Sequence, residues 1–130
     1  MADPRYEAGI RERRAVLGDA AVSQAMESGT KLSADFQDLV TRFAWGDVWS
    51  RPGLTRKMRS AITVGMLIAL NRNEELRTHL RGALNVGITV DELREVLLHA
   101  MVYCGGPAAN TAFRIADEVL AEKTQSAAGS

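Results

Sequence analysis

Apolar residues recur at helical spacing along almost the whole chain, and no segment alternates as a half-buried strand would. Tyr6 to Leu17 reads as a first helix stopped by Gly18-Asp19, and a short second helix fits Ala20 to Glu27 before Gly29. Ser33 is placed to cap a third helix with Phe36, Leu39, Val40 and Phe43 at i, i+3, i+4, i+7. That helix is expected to end near Trp49, with Ser50 biased out of the helical region by the coming proline. Thr55 can cap a fourth helix whose Met58, Ile62, Gly65, Met66 and Ala69 form a broad apolar face. Asn73 to Asn85 follows, closed by Gly87 as a left-handed stop.

Thr89-Val90-Asp91-Glu92 has the spacing of a capping box, in which Glu92 returns to the Thr89 amide. Leu93, Val96, Leu97 and Ala100 then line the buried face of a helix ending near Tyr103. Cys104-Gly105-Gly106-Pro107 breaks the chain, and Pro107 suits the first turn of a last helix running to about Lys123. Its expected core residues are Ala109, Ala112, Phe113, Ala116, Val119 and Leu120. The small residues of 124–130 read as a flexible tail. With no linker and no repeat, the pattern predicts an all-α fold: one helical domain over 1–130 with six to seven helices.

The balance of sixteen basic and sixteen acidic residues argues against a general nucleic-acid or membrane-surface binder. The longest apolar run, Ala61 to Leu70, is interrupted by Thr63 and is too short to span a bilayer. Met1 to Tyr6 lacks the apolar core of a signal peptide. Cys104, the one cysteine, has no partner for an internal disulfide, which fits a reducing cytoplasm. It also lacks a C-x-x-C partner, so an inert buried thiol fits better than a nucleophile.

Chemistry concentrates in Phe43-Ala44-Trp45-Gly46-Asp47-Val48-Trp49-Ser50-Arg51-Pro52-Gly53-Leu54, which holds both tryptophans and an arginine ahead of a Pro-Gly turn. Two readings fit it: an aromatic wall and a guanidinium fork for a flat anionic ligand, or an aromatic anchor at a subunit interface. Arg81, followed by Gly82, is a second candidate fork for a carboxylate. His79 shares a stripe with Leu76, Leu80 and Ala83, which is also what a structural histidine would do. Glu75, one turn earlier, is placed to orient the ring and raise its pKa, preparing a proton donor. His79 and His99 lie far apart without a cysteine cluster, so no metal spacing is present, and no glycine-rich phosphate loop follows a strand.

Three motifs together resemble the 4-carboxymuconolactone decarboxylases. They are Trp45 to Leu54, then His79-Leu80-Arg81-Gly82-Ala83-Leu84-Asn85 with Gly87, then Tyr103-Cys104-Gly105-Gly106-Pro107-Ala108-Ala109-Asn110. Arg13-Arg14-Ala15-Val16-Leu17-Gly18-Asp19 is similar as well, so the resemblance covers about Ile10 to Leu120. Gly106 departs from it, standing where an apolar residue is more usual. The wider superfamily includes the alkylhydroperoxidase D proteins, with a C-x-x-C-x-x-x-His redox motif. Here Arg72 and Glu75 occupy the two cysteine positions and only His79 remains, which removes thiol redox chemistry.

The resemblance implies an alkylhydroperoxidase D-like fold, decarboxylation of γ-carboxymuconolactone in the protocatechuate branch of aromatic catabolism, and no cofactor. It implies His79 as proton donor oriented by Glu75, Arg51 or Arg81 on a substrate carboxylate, and Trp45 and Trp49 as the apolar wall. It further implies a homohexamer built as a trimer of dimers, with sites between subunits. The competing class is a helical oligomer of the same superfamily with a binding or sensing role; a decarboxylase of a related lactone would use the same residues.

Overall fold

The protein is described by a computed structural model covering residues 3–128. Its described elements are α1 (Pro4–Leu17), α2 (Asp19–Glu27), α3 (Ala34–Leu39, wound on as a π-helix over Val40–Trp49), α4 (Arg56–Ala69), α5 (Asn73–Asn85), α6 (Val90–Cys104) and α7 (Gly106–Ala128). No strand occurs among the described residues, so the fold is all-α. The chain divides into two compact units, the first ending at Arg59 and the second beginning at Ser60.

In the first unit, α1 starts at Pro4, earlier than the Tyr6 expected. The Asp3 carboxylate accepts the Arg5 amide at 2.9 Å and Pro4 opens the first turn, a strong start signal. Gly18, with φ 92°, ends the helix as expected. α1 packs against the π-helical stretch at very close range. A Cβ on Gly9 would lie 2.0 Å from the Thr41 carbonyl oxygen, and one on Gly46 would lie 2.3 Å from that of Arg5. Backbone meets backbone there because neither residue has a side chain.

The π winding was not foreseen, and long π stretches are rare. Side-chain hydroxyls mark both its ends. Thr41 Oγ1 donates to the Gln37 carbonyl at 2.8 Å, and the Ser50 hydroxyl donates to the Gly46 carbonyl. These occupy carbonyls that an α-helix would offer to the amide four residues on. The Ser50 amide reaches back five residues to the Trp45 carbonyl instead, at 3.2 Å. Ser50 keeps helical dihedrals (φ −75°, ψ −9°), against expectation, because Pro52 constrains Arg51, its direct neighbour. Ser33 is not the expected side-chain cap: its hydroxyl engages Thr30. The rewound helix packs Thr41, Trp45 and Gly46 inward, leaving Phe36 at 62% and Phe43 at 59% exposure. The apolar stripe read from the spacing is therefore a surface ridge.

In the second unit, α5, α6 and α7 pack around Leu76, Leu80, Leu97, Ile115 and Val119. α4 starts at the end of the first unit, where Thr55 caps it by accepting the Met58 amide at 3.1 Å. The α4 face on this core is Val64 and Ile68, with Ser60 also buried. The broad face read from the sequence, Met58, Ile62 and Met66, is exposed instead. The stop at Gly87 (φ 101°) and both bonds of the Thr89–Glu92 capping box are present as expected. α7 runs on beyond Lys123 to Ala128, since alanine, lysine and glutamine favour helix. Of the tail expected to be flexible, residues 129–130 lie outside the described residues.

Candidate active site

Trp45, Trp49 and Arg51 belong to the first unit. Trp45 is 5% exposed and stacks on Trp49 with ring centroids 4.6 Å apart and planes 28° from parallel. Their four-residue separation brings them to one side of the π-helix. The pair is therefore a rigid slab whose outer face is the half-buried Trp49. Asp47, between them, is gripped by Arg5 through two hydrogen bonds of 2.8 and 2.6 Å, which ties this stretch to the start of α1. That pairing, through hydrogen bonding first and charge second, pulls the Asp47 carboxyl below its usual range.

Arg51 follows the slab. Its amide donates to the Val48 carbonyl at 3.1 Å, and its carbonyl accepts from the Arg59 guanidinium at 3.1 Å. The backbone is thus held on both sides. Its exposed guanidinium makes no ion pair among the described residues, which leaves a fork able to take a carboxylate from solution.

His79, Glu75 and Arg81 belong to the second unit, all on α5. Leu76 and Leu80 anchor the helix in the core and hold His79 half-buried beside them, as the spacing predicted. Burial lowers the His79 pKa, and the nearby Glu75 charge opposes this without overcoming it. The expected upward shift is therefore corrected. Desolvation of the half-buried ring outweighs one carboxylate that is itself exposed.

Arg81 does not present an open fork. Its Nε and one terminal nitrogen donate to the two Glu122 carboxylate oxygens at 2.9 and 3.0 Å. Glu122 lies on α7, so the pair staples α5 to α7. Nothing in the sequence distinguished this arginine from Arg51, because its partner is 41 residues away.

Elsewhere in the second unit, Ile62, Gly65 and Met66 of α4 face Val96, His99 and Tyr103 of α6 across an open apolar cleft of about 680 Å³. Cys104 lines it too and is half-buried, and the His99 ring leans on Tyr103 at 5.2 Å. Among the described residues, no three of His, Cys, Asp and Glu group as metal ligands, and no helix is long and apolar enough to cross a membrane. The sequence reading missed the Arg5–Asp47 clasp and the burial of Arg13. Only the second left a trace, an arginine in register with Gly9 and Val16 on the inner face of α1.

The sequence profile of the Carboxymuconolactone decarboxylase family matches residues 34–118. The chain is 48% identical to a 4-carboxymuconolactone decarboxylase of Acinetobacter baylyi, over 91% of this chain and 88% of that one. It is 43% identical to a nitrosuccinic acid decarboxylase of Metarhizium robertsii, over 88% of this chain and 80% of that one. A 4-carboxymuconolactone decarboxylase sequence from Pseudomonas putida is 49% identical over 33% of this chain and 90% of its own length. With the profile covering most of the helical frame and likeness to a decarboxylase running nearly end to end, the chain belongs to the carboxymuconolactone decarboxylase family.

Proposed function

We propose that the protein is a carboxy-lyase that decarboxylates γ-carboxymuconolactone to the β-ketoadipate enol-lactone. The observation that carries this is the 48% identity to a 4-carboxymuconolactone decarboxylase over 91% of the chain. The substrate is an unsaturated five-membered lactone with one carboxylate on a ring carbon and another on an acetate arm. When the ring carboxylate leaves as CO2, the electron pair of the broken C–C bond moves through the C=C bond into the lactone carbonyl. A proton then adds to the carbon α to that carbonyl. The substrate is its own electron sink, so the protein must hold the spectator carboxylate, stabilise the developing oxyanion and deliver one proton.

Arg51 is assigned to the acetate carboxylate and the Trp45–Trp49 slab to the ring. His79 delivers the proton, with Glu75 biasing it toward the protonated form. Burial lowers the His79 pKa, and a dianionic ligand beside the ring would push it back up, favouring the protonated acid in the complex. Arg81 is assigned to the α5–α7 staple. The protein works in the cytoplasm as a hexamer, a trimer of dimers. The exposed Phe36, Leu39 and Phe43 ridge and the exposed Ile62 and Met66 support assembly, since apolar surface on this scale marks interfaces.

The test is the ultraviolet absorbance of the unsaturated lactone, with CO2 release measured alongside, on purified protein with nothing added. Nitrosuccinate, the acid named for the fungal relative, serves as the comparison substrate. Stoichiometric CO2 from the lactone supports the reading. Turnover of nitrosuccinate alone reassigns the substrate, and no turnover of either leaves the binding or sensing class.

A further inference from the structure

Arg13 is a buried cation to which no carboxylate is bonded among the described residues. It is 8% exposed, on the face of α1 that meets the π-helical stretch. One terminal nitrogen donates to Thr41 Oγ1 at 3.2 Å and the other to Gln37 Oε1 at 2.9 Å. Its Nε–H is buried without a hydrogen-bond partner among the described residues. Buried charges are ordinarily paired, and a buried donor left unsatisfied is costly. Burial lowers the Arg13 pKa, and the Tyr6 phenol is the group that opposes it.

The surroundings are built toward an anion. Tyr6 and Gln37 both line an open cleft of about 210 Å³ with Thr30, Gly29 and Ala34. Gln37 turns its amide oxygen to Arg13, which leaves its NH2 group as a donor polarised by the cation behind it. Tyr6 adds a hydroxyl donor, while the Thr30 hydroxyl is engaged by Ser33 at 3.3 Å. Asp38, the acid on this wall, is engaged by Arg42 at 2.8 Å and 2.6 Å, so its charge is already balanced. A volume of this size admits a carboxylate on a short chain and no large ligand.

We propose that Arg13 is the cation of a small-carboxylate site in the first unit, entered through the cleft lined by Tyr6 and Gln37. The site is separate from the fork of Arg51 and goes beyond the proposed reaction. Its ligand is a short-chain carboxylate, held by the Gln37 amide and the Tyr6 hydroxyl in the field of Arg13.

The experiment is thermal unfolding and calorimetric titration of the full chain with sodium acetate and sodium succinate, against sodium chloride at equal ionic strength. Saturating carboxylate raises Tm by about 5 °C or more over chloride, as ligand linkage requires. Gln37→Glu builds a carboxylate onto Arg13. It raises Tm with no ligand present and abolishes the response to acetate, while Arg51→Ala retains that response. Tyr6→Phe weakens it without unfolding the protein. A wild-type chain that answers acetate no more than chloride overturns the proposal. So does a response that survives Gln37→Glu, or one that vanishes in Arg51→Ala, which would place the ligand at the fork of Arg51.

Discussion

Arg81 closes its guanidinium on both oxygens of Glu122, and the same α7 carboxylate lies 3.9 Å from Arg77. Arg77 also bonds Glu118, which Arg114 reaches at 3.3 Å, and Lys123 bonds the Asn85 side chain at 3.3 Å. The charges form a ladder joining α5 to α7. It explains why the last helix stays ordered where its apolar residues give out. Such solvent-screened pairs are individually weak and act together. Glu122→Gln should therefore lower Tm by a few degrees and leave KM unchanged. Thermal unfolding and steady-state kinetics check this, and a large KM change at constant Tm would return Arg81 to the substrate.

Arg51 has the opposite pattern, a fixed backbone and a fork without an ion-pair partner among the described residues. Arg51→Ala should raise KM strongly, because truncating one side of a charge pair that is desolvated in the complex costs roughly 2–5 kcal/mol. Unfolding should move little. An altered subunit count in light scattering with normal KM would make Arg51 an interface residue.

Local signals were legible and distant ones were not. The Thr89 capping box, the Gly87 stop, the Thr55 cap and the Leu76–Leu80–Ala83 stripe are each set within a few residues, and each stands where its residues point. The Phe36–Phe43 stripe misled because hydroxyl-to-carbonyl bonds and two glycine contacts rewind the helix, and those contacts join residues far apart in sequence. The apolar face of α4 misled for a different reason. Spacing locates an apolar face without saying whether the same chain covers it, and here Val64 and Ile68 take the core. Arg81 and Arg51 looked alike until Glu122 was found beside one of them.

The glycine contacts make a sharp test of the first unit. Gly46→Ala would put a methyl group 2.3 Å from the Arg5 carbonyl oxygen, and that oxygen is backbone with little room to yield. Overpacking of this kind typically costs about 1–3 kcal/mol, occasionally more. Gly53→Ala, where nothing lies within 4 Å of the added atom, is the control. Denaturant unfolding should show the first variant clearly weakened and the second close to wild type. Equal midpoints would mean that α1 and the π-helical stretch separate easily.

His79 carries the proposed chemistry, and its pKa shift makes stability and rate separable. Burial lowers the folded-state pKa below the ordinary value of about 6.5, so the unfolded chain binds this proton more readily. The stability tied to the neutral ring is therefore present above that ordinary value and is lost as pH falls through the lower folded value. His79→Gln removes this acid sensitivity, which unfolding midpoints measured on both sides of pH 6.5 will show. Glu75→Gln deletes the charge that opposes burial, so the pKa falls further, the acid loss of stability deepens, and the alkaline limb of the rate profile, where the proton donor is lost, moves to lower pH. General acid catalysis by a positioned side chain contributes about 10²–10⁴-fold, so His79→Gln should cost that much in kcat per folded assembly. A purely structural histidine gives the same change in acid stability with normal turnover, and that outcome would take His79 out of the reaction.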